Sequence, residues 1–150
     1  MEHKPRIDLQ AVADLSPVES RAPMSREERL ARWVEALERD PKRILRPLHE
    51  IEFKQPHERR AIRADNSPLT VAYEDPVLRA EALASDRLGA AIDFFQLSEH
   101  DAHIAFCSCH LGSKFGASHA AKRIKGLMQG GAPSQRVSLF GKLVSALFGR

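Results

Sequence analysis

Four of the chain's seven histidines and both of its cysteines fall between residues 100 and 119. The segment runs Ser98-Glu-His-Asp-Ala-His-Ile-Ala-Phe-Cys-Ser-Cys-His110, with His119 beyond it. Imidazoles and thiols are the side chains that ligate zinc, attack as nucleophiles or carry a proton near neutral pH. A continuous helix would set His100, His103, Cys107 and His110 along one face. His103 and Cys107 are four residues apart, the spacing by which a helix offers two ligands to one ion, and the imidazole–thiolate pair suits zinc. The stripe is too long for a single ion, because ten residues of helix rise about 15 Å. A zinc site would therefore use part of the set His100, His103, Cys107, Cys109, His110 and His119, with another element completing it. Cys109 lies about 200° around a helix from Cys107, so a turn near Ser108 would be needed to change the pairing.

Two other readings compete. In the structural one, Cys107 is a small buried hydrophobe beside Ile104 and Phe106, and the histidines edge a helix junction. In the other, Cys107 or Cys109 is the nucleophile of a thiol enzyme with a histidine as its base. No third orienting group is identifiable. The nearby acids are Glu99 and Asp101, and Asp101 is better placed as a helix cap. The structural reading is the expected one, and no catalytic residue is assigned.

Charge is divided unevenly along the chain. The first 101 residues hold 16 Lys/Arg and 20 Asp/Glu, a net −4, whereas residues 102–150 hold seven Lys/Arg and no acid. A segment of +7 points to an anionic partner, unless the two halves neutralise each other on folding. The candidate partner-binding residues are Lys122, Arg123, Lys125, Arg136, Phe140, Lys142, Leu143 and Leu147. An anionic membrane surface or a protein groove would suit them. Sequence-specific nucleic-acid binding is not expected. A helix-turn-helix reading around Ser98 would start its second helix with Glu99 and Asp101, which repel phosphate, and Gly112-Ser-Lys-Phe-Gly116 lacks the ending of a phosphate loop.

The elements that must position these groups are helical. The chain has 150 residues, enough for one domain with a core of its own, and aromatics are only 6%, so that core is aliphatic. Residues 1–24, with Pro5, Pro17, Pro23 and mixed charge, read as a disordered tail. Ser25 and Glu28 form a capping box before Leu30, Trp33, Val34 and Leu37, which recur at helical spacing. Pro41, Pro56, Pro68 and Pro76 each sit where a first helical turn tolerates proline, and Asp40, Ser67 and Asp75 supply caps. Ile44, Leu45, Leu48, Ile51 and Phe53 are expected inside. Val71 and Tyr73 have room for no more than a short extended piece. Further helices are expected over about 85–95, from Ser98 onwards and over about 118–128, with a loop at Gly112 and Gly116.

The expected architecture is all-α: one compact domain of about six to eight short helices over 25–128. A flexible linker (129–134) and a basic amphipathic helix (135–150) should follow. With no signal-peptide run, no stretch of about 18 apolar residues and no disulfide framework, the expected location is the cytoplasm, with peripheral membrane contact open. The expected function is a non-enzymatic binding or regulatory protein engaging an anionic or apolar partner through its basic C-terminal third.

Overall fold

The computed structural model describes residues 21–130, the side chains of His49, Cys109 and His110 excepted. The expected tail up to residue 20 and the C-terminal helix therefore lie outside the described residues, as do Arg136, Phe140, Lys142, Leu143 and Leu147.

Helix α1 (Arg26–Arg39) starts as its sequence dictates. The Ser25 hydroxyl accepts the Glu28 N–H, and the Glu28 carboxylate accepts the Ser25 N–H. That backbone bond holds the Glu28 carboxyl below its ordinary range. Leu30, Trp33, Val34 and Leu37 are all buried. Trp33 is the centre of the core: it stacks on Phe95 with ring centroids 4.4 Å apart, and Phe106 lies at 5.7 Å. Its indole N–H donates to the Pro68 carbonyl at 2.9 Å, so the ring is buried without an orphaned donor.

The Pro41 expectation fails. Residues 41–43 turn, and the chain enters a two-residue strand, β1 (Ile44–Leu45). It pairs antiparallel with β2 (Phe115–Gly116), Ile44 opposite Gly116 and Leu45 opposite Phe115. Alternation along β1 buries Leu45 and leaves Ile44 58% exposed. Leu48 and Ile51 are buried as expected, but Phe53, following a 3₁₀ turn (His49–Glu52), is 84% exposed.

The remaining proline-led starts hold. Helices α2 (Pro56–Arg59), α3 (Pro68–Glu74) and α4 (Pro76–Ala80) each carry proline in the first turn. Val71 and Tyr73 belong to α3 rather than to an extended piece, because the Ser67 hydroxyl caps that helix by accepting the Leu69 N–H. Asp75 ends α3 and caps α4, accepting the N–H groups of Val77 and Leu78. The same carboxylate receives the Arg32 guanidinium at 3.2 and 2.9 Å and that of Arg39 at 3.1 Å. Burial pushes its carboxyl up, but Arg32, the Leu78 N–H and Arg39 outweigh burial and hold it below the usual carboxylate range.

Helix α5 (Leu88–Phe95) begins three residues later than expected and ends at Gln96, which takes the left-handed conformation (φ 50°). Helices α6 (Glu99–Phe106), α7 (Ser108–Leu111) and α8 (Ala117–Gln129) complete the described chain. Helix α8 lies against α1, with Ala120, Ala121, Ile124 and Leu127 buried, and also touches α6. The result is a mostly helical single domain with one small two-stranded pairing. Among the described residues no helix is long and apolar enough to cross a membrane.

Candidate functional site

The Cys/His segment does not form one helix. Ser98 caps α6 as expected: its hydroxyl accepts the Asp101 N–H at 3.0 Å, and Asp101 returns a bond to the Ser98 N–H at 3.2 Å. The helix then stops at Phe106. The Phe106 carbonyl, which a continuing helix would give to the N–H four residues on, accepts from the Leu48 N–H at 2.9 Å. Cys107 is extended (φ −77°, ψ 140°) and serves both as the last cap of α6 and as the first of α7. His100 and His103 thus lie on one helix and Cys109 and His110 on another, which corrects the continuous four-residue face.

Cys107 itself is fully buried. Its Sγ donates to Glu52 Oε1 at 3.0 Å, and the Ser108 hydroxyl donates to the same oxygen. Glu52 is the residue that sequence reasoning missed here. It comes from the 3₁₀ turn, 55 residues away, and no spacing signature links it to the thiol. A thiol closed off from solvent and hydrogen-bonded within the domain is the environment of a core cysteine. His119 sits apart on α8, exposed, its ring centroid 6.2 Å from that of Phe115. Among the described residues no three His, Cys, Asp or Glu side chains converge as a metal ion would require. The side chains of Cys109 and His110 lie outside that statement.

The second candidate lies on α8. Alanines and branched residues at 120, 121, 124 and 127 bury one face against the core. The opposite face carries His119, Lys122 and Gly126, exposed, with Arg123 half-buried beside them. Together with Ile104 of α6 and Leu127 these residues line an open groove of about 520 Å³. Among the described residues that line it there is no acid. Gly126 opens onto this groove: a Cβ added there meets nothing within 4 Å. The signal for it was present in the sequence, because an isolated glycine inside a helical run usually has a packing or functional reason.

Of the expected partner-binding residues within reach of the structure, Lys122 and Arg123 line this groove and Lys125 does not. The Lys125 ammonium instead pairs with Glu38 of α1. Glu38, from the acidic half of the chain, thus takes one cation of the +7 segment. No protein family, curated protein or solved structure matches this chain.

Proposed function

We propose that the chain is a non-enzymatic binding protein whose basic C-terminal third takes up an acidic, apolar-anchored segment of a partner protein. The observation that carries this reading is the composition of the α6/α8 groove: Lys122 and Arg123 beside an apolar floor of Ile104 and Leu127, with no acid among its described lining residues. Cations flanking an apolar slot suit a peptide that inserts a hydrophobic side chain and sets carboxylates around it. A lipid surface is better met by an apolar face that protrudes, and a phosphate backbone by a run of cations without an apolar floor. Residues 131–150 add Arg136, Lys142 and Arg150 and no acid to the same end of the chain.

Selection from a random-peptide display library on the immobilised full chain tests the proposal, with phosphatidylserine vesicles and a single-stranded DNA oligomer as parallel probes. The expected peptides combine Asp or Glu with Leu, Ile or Phe. They should lose binding both to Lys122→Glu and to Gly126→Trp, the first reversing charge and the second filling the groove. Selection without acidic enrichment would refute the reading, as would vesicle or DNA binding that Gly126→Trp leaves intact while no peptide is retained.

A further inference from the structure

We infer that a second site, between the end of α4 and the start of α5, binds a small phosphorylated molecule by its phosphoryl group. The site shares no residue with the α6/α8 groove and does not depend on what that groove takes up.

It is an open hollow of about 590 Å³, a volume in the range of small-molecule pockets. Arg29 of α1 and Arg87, just before α5, supply its charge. Arg29 is half-buried. Its guanidinium carbon lies 4.5 Å from the centre of the Phe94 ring, and one terminal nitrogen donates to the Phe94 carbonyl at 2.8 Å. Its Nε is closed off from solvent and meets no acceptor among the described residues. The two acids in the lining are engaged elsewhere. Asp93 holds Arg60 at 2.5 Å, and Glu81 accepts the Met24 N–H at 2.9 Å. Among the described residues neither Arg29 nor Arg87 pairs with a carboxylate. A cation drawn partly out of water without a counter-charge is costly, and a bound anion removes that cost.

The start of α5 adds to the same field. Arg87 is the N-cap of this helix, Gly89 and Ala90 belong to its first turn, and all three line the hollow. That turn holds no acid, and the cap side chain makes no capping bond, so nothing within the helix offsets the positive end of its dipole. Ser85, also in the lining, accepts the Arg87 N–H at 3.4 Å and keeps its own hydroxyl proton to donate. Ala82 takes the left-handed conformation (φ 80°), which strains any residue with a Cβ. Beyond that bend Ala84 and Ser85 join the wall.

Two guanidinium groups from separate elements, a hydroxyl and a helix N-terminus suit a compact group with close to two negative charges and three acceptor oxygens, which is a phosphoryl group. A carboxylate brings one charge and two oxygens. Ala82, Ala84 and Ala90 leave an apolar wall for the body of the molecule.

The test is an amide NMR titration of the full chain, at constant ionic strength, with inorganic phosphate, ribose 5-phosphate and succinate. Both phosphates should give saturable shifts at Ala82, Ser85, Arg87, Gly89 and Ala90, with ribose 5-phosphate the tighter, while Ile104, Lys122 and Gly126 stay. Arg87→Ala should weaken both by about tenfold. Ala90→Asp should abolish both. It sets a carboxylate in the first turn of α5, where the dipole favours one, so the fold is kept while the anion is repelled. Lys42→Ala, which removes an exposed cation outside the hollow, should change neither. No saturable shift with either phosphate overturns the inference, as does undiminished binding by Arg87→Ala or Ala90→Asp. Shifts confined to Ile104, Lys122 and Gly126 overturn it too, since the anion would then sit in the α6/α8 groove. Succinate bound as tightly as ribose 5-phosphate overturns the choice of a phosphoryl group.

Discussion

Asp75→Asn tests the central electrostatic assignment. The Asp75 side chain is 1% exposed, accepts two backbone N–H groups at the start of α4 and receives the guanidinium groups of Arg32 and Arg39. Asparagine preserves the shape and the cap but removes the charge. Breaking a buried ion pair by removing one partner costs about 3–5 kcal/mol. Here the Arg32 side chain is 21% exposed and that of Arg39 is 49% exposed, so both recover water when the carboxylate goes. The expected cost of Asp75→Asn is accordingly about 2–3 kcal/mol. Asp75→Ala also removes the cap and should cost about 1 kcal/mol more. The pH dependence has a definite sign. Because the folded carboxyl is held below its ordinary value, the stabilisation is complete above the unfolded value, about 3.9, and is lost as pH falls through the folded value. The gap between parent and Asp75→Asn should therefore be constant from neutral pH to about pH 5 and narrow below about pH 4. Urea unfolding followed by the fluorescence of Trp33, the chain's single tryptophan, measures both. A cost for Asp75→Asn below about 1 kcal/mol, or a gap that widens in acid, would refute the reasoning.

Two glycines should respond to alanine with opposite signs. Gly126→Ala places a methyl in open space within α8 and should raise stability by about 0.5–1 kcal/mol through helix propensity alone. Gly89→Ala drives a Cβ to 2.9 Å from Arg60 Cβ and 3.0 Å from the Arg60 carbonyl oxygen, and should lower it by about 1–3 kcal/mol. Thermal unfolding of both variants checks the pair, and equal signs would contradict the packing described. Trp33→Phe strips the Pro68 carbonyl of its indole donor and should cost about 1–3 kcal/mol in the same denaturant assay. Cys107 should be alkylated by iodoacetamide only as fast as the domain opens, far more slowly than in urea, as read by mass spectrometry of the peptide that carries it. Fast native labelling of Cys107 would show that the thiol is not sealed in the core.

What could be read from sequence was what neighbours in sequence decide. The Ser25–Glu28 box, the stripe Leu30, Trp33, Val34 and Leu37, the Ser98–Asp101 box and the proline starts at 56, 68 and 76 all rest on residues within one or two turns of each other. The misreadings come from partners far along the chain. Pro41 announces a helix locally, but residues 44–45 are claimed by a pairing with 115–116, and the strand's alternation turns Ile44 outward. Helix α6 has no Pro or Gly at its end. It stops where the Leu48 N–H takes the Phe106 carbonyl, an interaction that local periodicity does not contain. The candidate site divides in the same way. Lys122 and Arg123 were legible from the charge run. Ile104 as a groove wall and Glu52 as the neighbour of Cys107 were not, because each depends on how separate elements pack.

The packing of α8 against α1 also sets an order of events at the ribosome. The apolar stripe of α1 is covered largely by a helix whose residues lie almost ninety positions downstream, and the Lys125–Glu38 pair closes across a separation of 87. At ordinary synthesis rates of about 5–20 residues per second, that interval lasts roughly 4–17 s. During it the part of α1 that α8 covers stays open, although α3, α4 and α5 can already pack on the helix, and chains halted before Ile124 never close it. A nascent chain of this kind offers an early site for chaperone capture, and shortening it past residue 130 removes the lid of the core before any other described helix.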